Sequence, residues 1–244
     1  MQKNQFTFNI QTHDFWPVYH AIHEFYPIGI QRGEDLTYFN YPGIQELDRR
    51  VVETIHHEND FYKSWLEFEN RLAEHYNLEV RGTTYGQAPS VSADLVIEKI
   101  ELEGFRKVKK ISIAISLVGQ FFTIYGIDES TLVEPVLHSY DLNYHSINAV
   151  TASPHQEFRQ FFEQLKSMVE ERYEGYRFIP FFVNDSIIKG LQVRYLDHEE
   201  CTVFQALFNQ SLDNAPSGTI RGDRYYGHEE WKVEGGESKF LFVK

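Results

Sequence analysis

Between Val91 and Ile127 the chain alternates apolar and small or polar positions with a period of two. In the run from Lys110 to Val118, the branched residues Ile111, Ile113, Ile115 and Leu117 share one parity, and Ser112, Ala114 and Ser116 take the other. Successive side chains of a strand point to opposite faces, so this run predicts a strand with one face in a core. The other face should meet water or a close neighbour. Leu95–Leu102 predicts a strand before it, with a turn at Gly104–Lys107, and Phe121–Ile127 predicts a third strand after a reversal at Gly119-Gln120. Connections this short make antiparallel neighbours, because a parallel pair needs a crossover of about a dozen residues.

Upstream, the apolar period changes to that of a helix. Phe15, Tyr19, Ile22 and Phe25 follow Asp14, a good helix cap, and Pro27 and Gly29 stop the run. Pro42-Gly43 reads as a turn pair, followed by helical spacing at Leu47, Val51, Val52 and Ile55. Phe61, Trp65, Phe68, Leu72 and Tyr76 form another helical face, and Val80–Pro89 reads as loop or a short strand.

Downstream, Ser153-Pro154-His155-Gln156 has the pattern of a capping box with proline at the first helical position. It predicts a helix over 154–173 that turns Phe158, Phe161, Phe162, Leu165, Met168 and Val169 inward. Tyr176–Val183 and Leu191–Leu196 predict strands, and Ser238–Val243 a last one. Asp197-His198-Glu199-Glu200 predicts a second capped helix, carrying Cys201, Phe204, Leu207 and Phe208 inward. The elements sum to an α+β fold, with a central antiparallel sheet packed by helices on one side and a helical N-terminal region. A single domain over 1–244 is the simplest organisation. The alternative separates a helical subdomain at 1–85.

The 244 residues suffice for a sizeable core without staples. Their 20 Phe and 15 Tyr place many amphipathic rings at core boundaries or contact surfaces. Thirty-six acidic against 23 basic residues leave a charge of −13, which repels nucleic acid and anionic lipid and favours a basic partner. The lone Cys201 cannot form an internal disulfide, and the first residues lack a signal peptide's apolar stretch, so a cytoplasmic protein is expected. Ile111–Ile127 is too short and too interrupted to cross about 30 Å as a helix, so no membrane span is expected.

Phosphate-loop, dinucleotide-glycine, nucleophile-elbow and His-Glu-x-x-His patterns are absent from the sequence. Glu53, His56, His57 and Asp60 would share one face of a continuous helix, and such mixed donors suit zinc, manganese or iron. His20 and His23 form another same-face pair that could complete the set, but with no third ligand segment evident a solvated polar stripe outweighs a metal centre there. Cys201 follows two acidic residues that oppose a thiolate, so it reads as a buried structural thiol. Arg106, Lys107, Lys109 and Lys110 form a basic run that reads as a solvated turn. Arg221, Arg224, Tyr225 and Tyr226 lie among glycines in a long irregular stretch. Arginine and tyrosine are enriched at recognition surfaces, so these four are the candidate binding residues, against a competing reading in which the tyrosines only tether the loop. The leading expectation is a protein-interaction module without cofactor, of inhibitor or immunity type, rather than an enzyme. The alternatives are a metal-dependent hydrolase using the His and carboxylate cluster, and a small-ligand binding protein.

Overall fold

The computed structural model describes residues 4–33, 36–56, 60–134, 142–213, 215 and 220–234. Helices α1 (Trp16–Phe25), α2 (Pro42–Ile55) and α3 (Asp60–Tyr76) precede β1 (Val80–Gly82), β2 (Ser90–Leu102), β3 (Phe105–Ser116), β4 (Phe121–Glu134) and β5 (Leu142–Thr151). Then follow α4 (Arg159–Arg172), β6 (Arg177–Phe178), α5 (Phe181–Asn184), α6 (Val203–Leu207) and β7 (Ile220–Arg221). The sheet order is β1-β2-β3-β4-β5-β7, with β6 beside β4. The long strands are antiparallel, while the short β6 and β7 join in parallel. This is the α+β class that the alternation predicts.

The expected strand face is present. Ile111, Ile113 and Ile115 pack with Trp65, Phe68 and Leu72 of α3 and with Phe162, Leu165 and Val169 of α4. The opposite face is covered as well. Ala114, Val118, Tyr125 and Ile127 join a second core with Val18 and Ile22 of α1, Leu47 and Val51 of α2, and Phe204 of α6. Leu117, expected beside Ile115, packs against this second core instead, because β3 ends at Ser116 and its alternation ends with it. Among the described residues no helix is long and apolar enough to cross a membrane.

Several local expectations yield to tertiary partners. Pro42 is the first residue of α2 rather than a turn, a position where its missing N–H costs nothing. Ser153 does not cap α4. Its hydroxyl accepts from the Asp223 N–H at 2.8 Å, and α4 begins only at Arg159, after a 3-10 turn at Gln156–Phe158. The expected strand at 176–183 pairs only at Arg177–Phe178, because Pro180 leads straight into α5. Leu191–Leu196 forms no strand. Three of its carbonyls are taken by side chains, with the Tyr38 hydroxyl donating to Gln192 O at 2.8 Å and the Arg32 guanidinium donating to Val193 O and Arg194 O, and Leu191 O accepts from the Cys201 N–H at 2.9 Å. The capping box of α6 is Thr202 with Gln205, not Asp197 with Glu200. The strand expected at Ser238–Val243 lies outside the described residues.

On α3, burial raises the Glu69 carboxyl to about 6, although the Trp65 indole N–H donates to it at 2.9 Å and opposes the rise. The folded value lies above the ordinary 4.5, so folding favours the protonated acid. That contribution is complete below the ordinary value and is lost as pH rises through the folded one. Glu69→Gln should therefore gain stability over the parent chain as pH rises from about 4.5 to about 7, by no more than ~2 kcal/mol and less in proportion to the carboxyl's remaining solvation. Urea midpoints of both proteins at the two pH values check this; parallel shifts would refute it.

Candidate functional site

Of the candidate metal cluster, the structure places Glu53 on α2 and Asp60 at the start of α3. Helix α2 ends at Ile55 and α3 begins at Asp60. Glu53 is engaged by Arg49 on its own helix, and the exposed Asp60 pairs with Lys63 at 3.2 Å. His56 is the residue following α2, and His57 lies outside the described residues. Among the described residues no group of three or more His, Cys, Asp or Glu side chains is arranged to hold a metal ion.

The four candidate binding residues diverge. Tyr226 packs edge-on to Phe162 at 5.4 Å and to Phe178 at 5.8 Å, against the core under α4. Tyr225 points the other way and lies 4.8 Å from the Phe182 ring, 46% exposed. Arg224 pairs with Asp185 at 2.7 Å and lies over the Phe181 ring. Arg221, in β7, reaches toward the buried Asp128 at 3.8 Å. Of the two tyrosines, Tyr226 is packed against the core and Tyr225 is the more exposed, while Arg224 and Arg221 reach carboxylates of the domain.

Two features of the sheet correspond to no motif in the sequence. The first is its far end, where β2–β5 run beyond the helices. Leu102 pairs with Phe105, Phe105 with Leu132, and Leu132 with Tyr144. Directly paired residues project from the same face, so these four make one apolar row across four strands. Phe105 has the parity of Ile111 and Ile113, which places the row on the α3 and α4 face, past the helices. Leu102 is 66% exposed, Leu132 55% and Tyr144 57%, and Ile100 adds an exposed neighbour in the next row. The two outer edges differ. Among the described residues β2 has no outer partner strand along 98–102, where it carries Glu98, Lys99 and Glu101, charges that discourage strand addition. Among the described residues β5 pairs on its outer side only at Val150 and Thr151. From Tyr144 to Ala149 it carries no Lys, Arg, Asp or Glu.

The second feature lies on the opposite face. Lys110 belongs to the basic run expected in a solvated turn, yet its ammonium sits between Asp94 Oδ2 and Glu129 Oε2, 2.9 Å from each, with its side chain only 17% exposed. Burial pushes the Lys110 ammonium down, but the two carboxylates outweigh burial and hold it above its ordinary value, so it stays charged. Ser112 donates to Asp94 Oδ1 at 2.6 Å, and His145 Nε2 stands 3.7 Å from Glu129 Oε2. This group lies in an open cavity of about 350 Å³, roofed by residues 209–211. The signal available in the sequence was the parity of the strands: Asp94, Lys110, Ser112 and Glu129 fall on the face opposite the isoleucines. Which strands pair, and so which charges meet, was not legible.

No protein-family model matches the chain, and comparison with curated proteins and with solved structures finds no match.

Proposed function

We propose that this is a cytoplasmic protein-interaction module, of the inhibitor or immunity type, whose projecting sheet end docks a protein partner with a basic surface. The observation that carries the reading is the apolar row Leu102, Phe105, Leu132 and Tyr144, exposed at all but the half-buried Phe105, set beside an outer edge of β5 that carries no Lys, Arg, Asp or Glu from Tyr144 to Ala149. An unguarded edge offers a ladder of backbone donors and acceptors to an extended segment, and an apolar row beside it anchors alternate side chains of that segment. The overall charge of −13 supplies the sign of the partner and steers its approach. Arg221 and Tyr225, both exposed on the C-terminal segment, serve as secondary contacts.

The test places a photo-crosslinking aromatic amino acid at position 144 in the native cell. A discrete protein adduct is expected there and not from the exposed Glu74 of α3. The pair of changes Leu102→Asp and Leu132→Asp should abolish the adduct while leaving thermal melting unchanged, because both side chains are largely in water already. Against the partner so identified, the pair should weaken binding on the order of thirtyfold or more, the effect of losing one central anchor. Added salt should lower the association rate far more than it raises the dissociation rate. An absent adduct, or one indifferent to the two aspartates, would refute the reading.

A further inference from the structure

We infer that the cavity over Lys110 is a binding site for a small neutral polyhydroxylated molecule, of the size of one or two sugar rings. The inference concerns the face opposite the docking row and stands independently of it. Its floor presents strong donors and acceptors within a short span. The Lys110 ammonium is held 2.9 Å from Asp94 and 2.9 Å from Glu129, and the Ser112 hydroxyl is bonded to Asp94. A buried ammonium between two carboxylates is costly to desolvate and adds little to stability by itself. An arrangement of that kind at the bottom of an open cavity is therefore informative about what it meets.

The charges select among ligand classes. Two carboxylates against one ammonium repel an anion. A divalent cation would have to displace Lys110, which is fixed in β3 and already occupies an oxygen of each carboxylate. An added ammonium or guanidinium group would face Lys110 at close range. A hydroxyl group suits the site, because it donates to a carboxylate and accepts from an ammonium at once, and neighbouring hydroxyls of a ring repeat that pattern. The Tyr85 ring at the rim, 47% exposed, offers surface to the C–H side of such a ring.

The roof is built and held. Tyr125 OH lies 2.6 Å from Ser211 Oγ, and the Ser211 N–H and hydroxyl both donate to Asn209 Oδ1, at 2.9 and 2.7 Å. Ser90 Oγ donates to Phe208 O at 2.8 Å, fixing the base of the same loop to β2. The cavity is thus set by side-chain bonds from two strands before any ligand arrives, which lowers the ordering cost of binding.

The experiment is saturation-transfer NMR on the whole chain with glucose, galactose, N-acetylglucosamine, myo-inositol and maltose as probes at millimolar concentration, and with arginine and inorganic phosphate as charged counterparts. At least one hydroxylated probe is expected to receive saturation and to shift the His145 ring signals, and the charged probes are not. Tyr85→Ala, at the rim and half in water, should weaken that binding while the fold melts unchanged. Lys110→Met should weaken it by about tenfold or more, as expected for a lost hydrogen bond to a charged group. If Lys110→Met fails to fold, Tyr85→Ala and Ser211→Ala decide the matter. No transfer to any hydroxylated probe, preferential binding of arginine or phosphate, or binding indifferent to the rim and roof variants would each overturn the inference.

Discussion

Ile113→Asp is expected to abolish the cooperative unfolding transition. Ile113 is 1% exposed at the centre of β3, between Ala93 on β2 and Ile124 on β4, on the face covered by α3 and α4. A carboxylate placed there loses its hydration and finds no cation among the apolar residues around it. The penalty is several kcal/mol, added to about 3 kcal/mol for the lost apolar burial and packing. Native domains hold only about 5–15 kcal/mol in total, so the sum empties the folded state or nearly so. Ile113→Val, which trims one methyl, should cost only about 1 kcal/mol and keep a sharp transition. Circular dichroism melts of the three proteins make the comparison. A soluble Ile113→Asp protein with an unchanged melt would show that β3 does not face this core.

Gly43→Ala is the second large effect, and its sign separates local from tertiary control. Alanine is favoured over glycine by up to about 1 kcal/mol in a helix, and less in the first turn where Gly43 sits, so α2 taken alone would gain slightly. In the folded chain, a Cβ on Gly43 would fall 2.1 Å from the Glu24 carbonyl oxygen and 2.7 Å from Phe25 Cα. Both obstacles are backbone at the end of α1 and cannot rotate away. The helices would have to part, opening the core that Ile22, Ile44 and Leu47 share. The expected outcome is a net loss of about 2 kcal/mol or more, read as a lower urea midpoint with an unchanged slope. A raised midpoint would mean that α1 and α2 do not touch there.

Gly43 also illustrates what the linear chain hides. Pro42-Gly43 has the composition of a turn, and only the presence of α1 one backbone's thickness away explains the glycine within a helix. Ser153 is a similar case. As a local signal it is a helix cap, but the N–H of Asp223, seventy positions later, takes its hydroxyl. Leu191–Leu196 alternates as a strand should, yet Tyr38 and Arg32 take the carbonyls of Gln192, Val193 and Arg194 in place of a neighbouring strand. In each case a partner far along the chain outbid a local preference worth about 1 kcal/mol.

The candidate sites divide in the same way. Arg221, Arg224, Tyr225 and Tyr226 were adjacent in the chain and suggestive by type, but strand and loop geometry sends their side chains to different surroundings. Lys110 looked like one of four solvated cations. Register alone places it opposite Ile127 and within reach of Asp94 and Glu129.

By itself the sequence determined the α+β class, the antiparallel strands β2, β3 and β4, the isoleucine face of β3 and the inward faces of α1, α3 and α4, because period and turn chemistry are local properties of a chain. The second cover over the sheet, the helix starts at Arg159 and Val203, the apolar row at the sheet's far end and the charged cavity on the other face were decided only by tertiary structure. Each depends on pairing register or on contacts between distant segments, and a one-residue change of register would carry every one of those side chains to the opposite face.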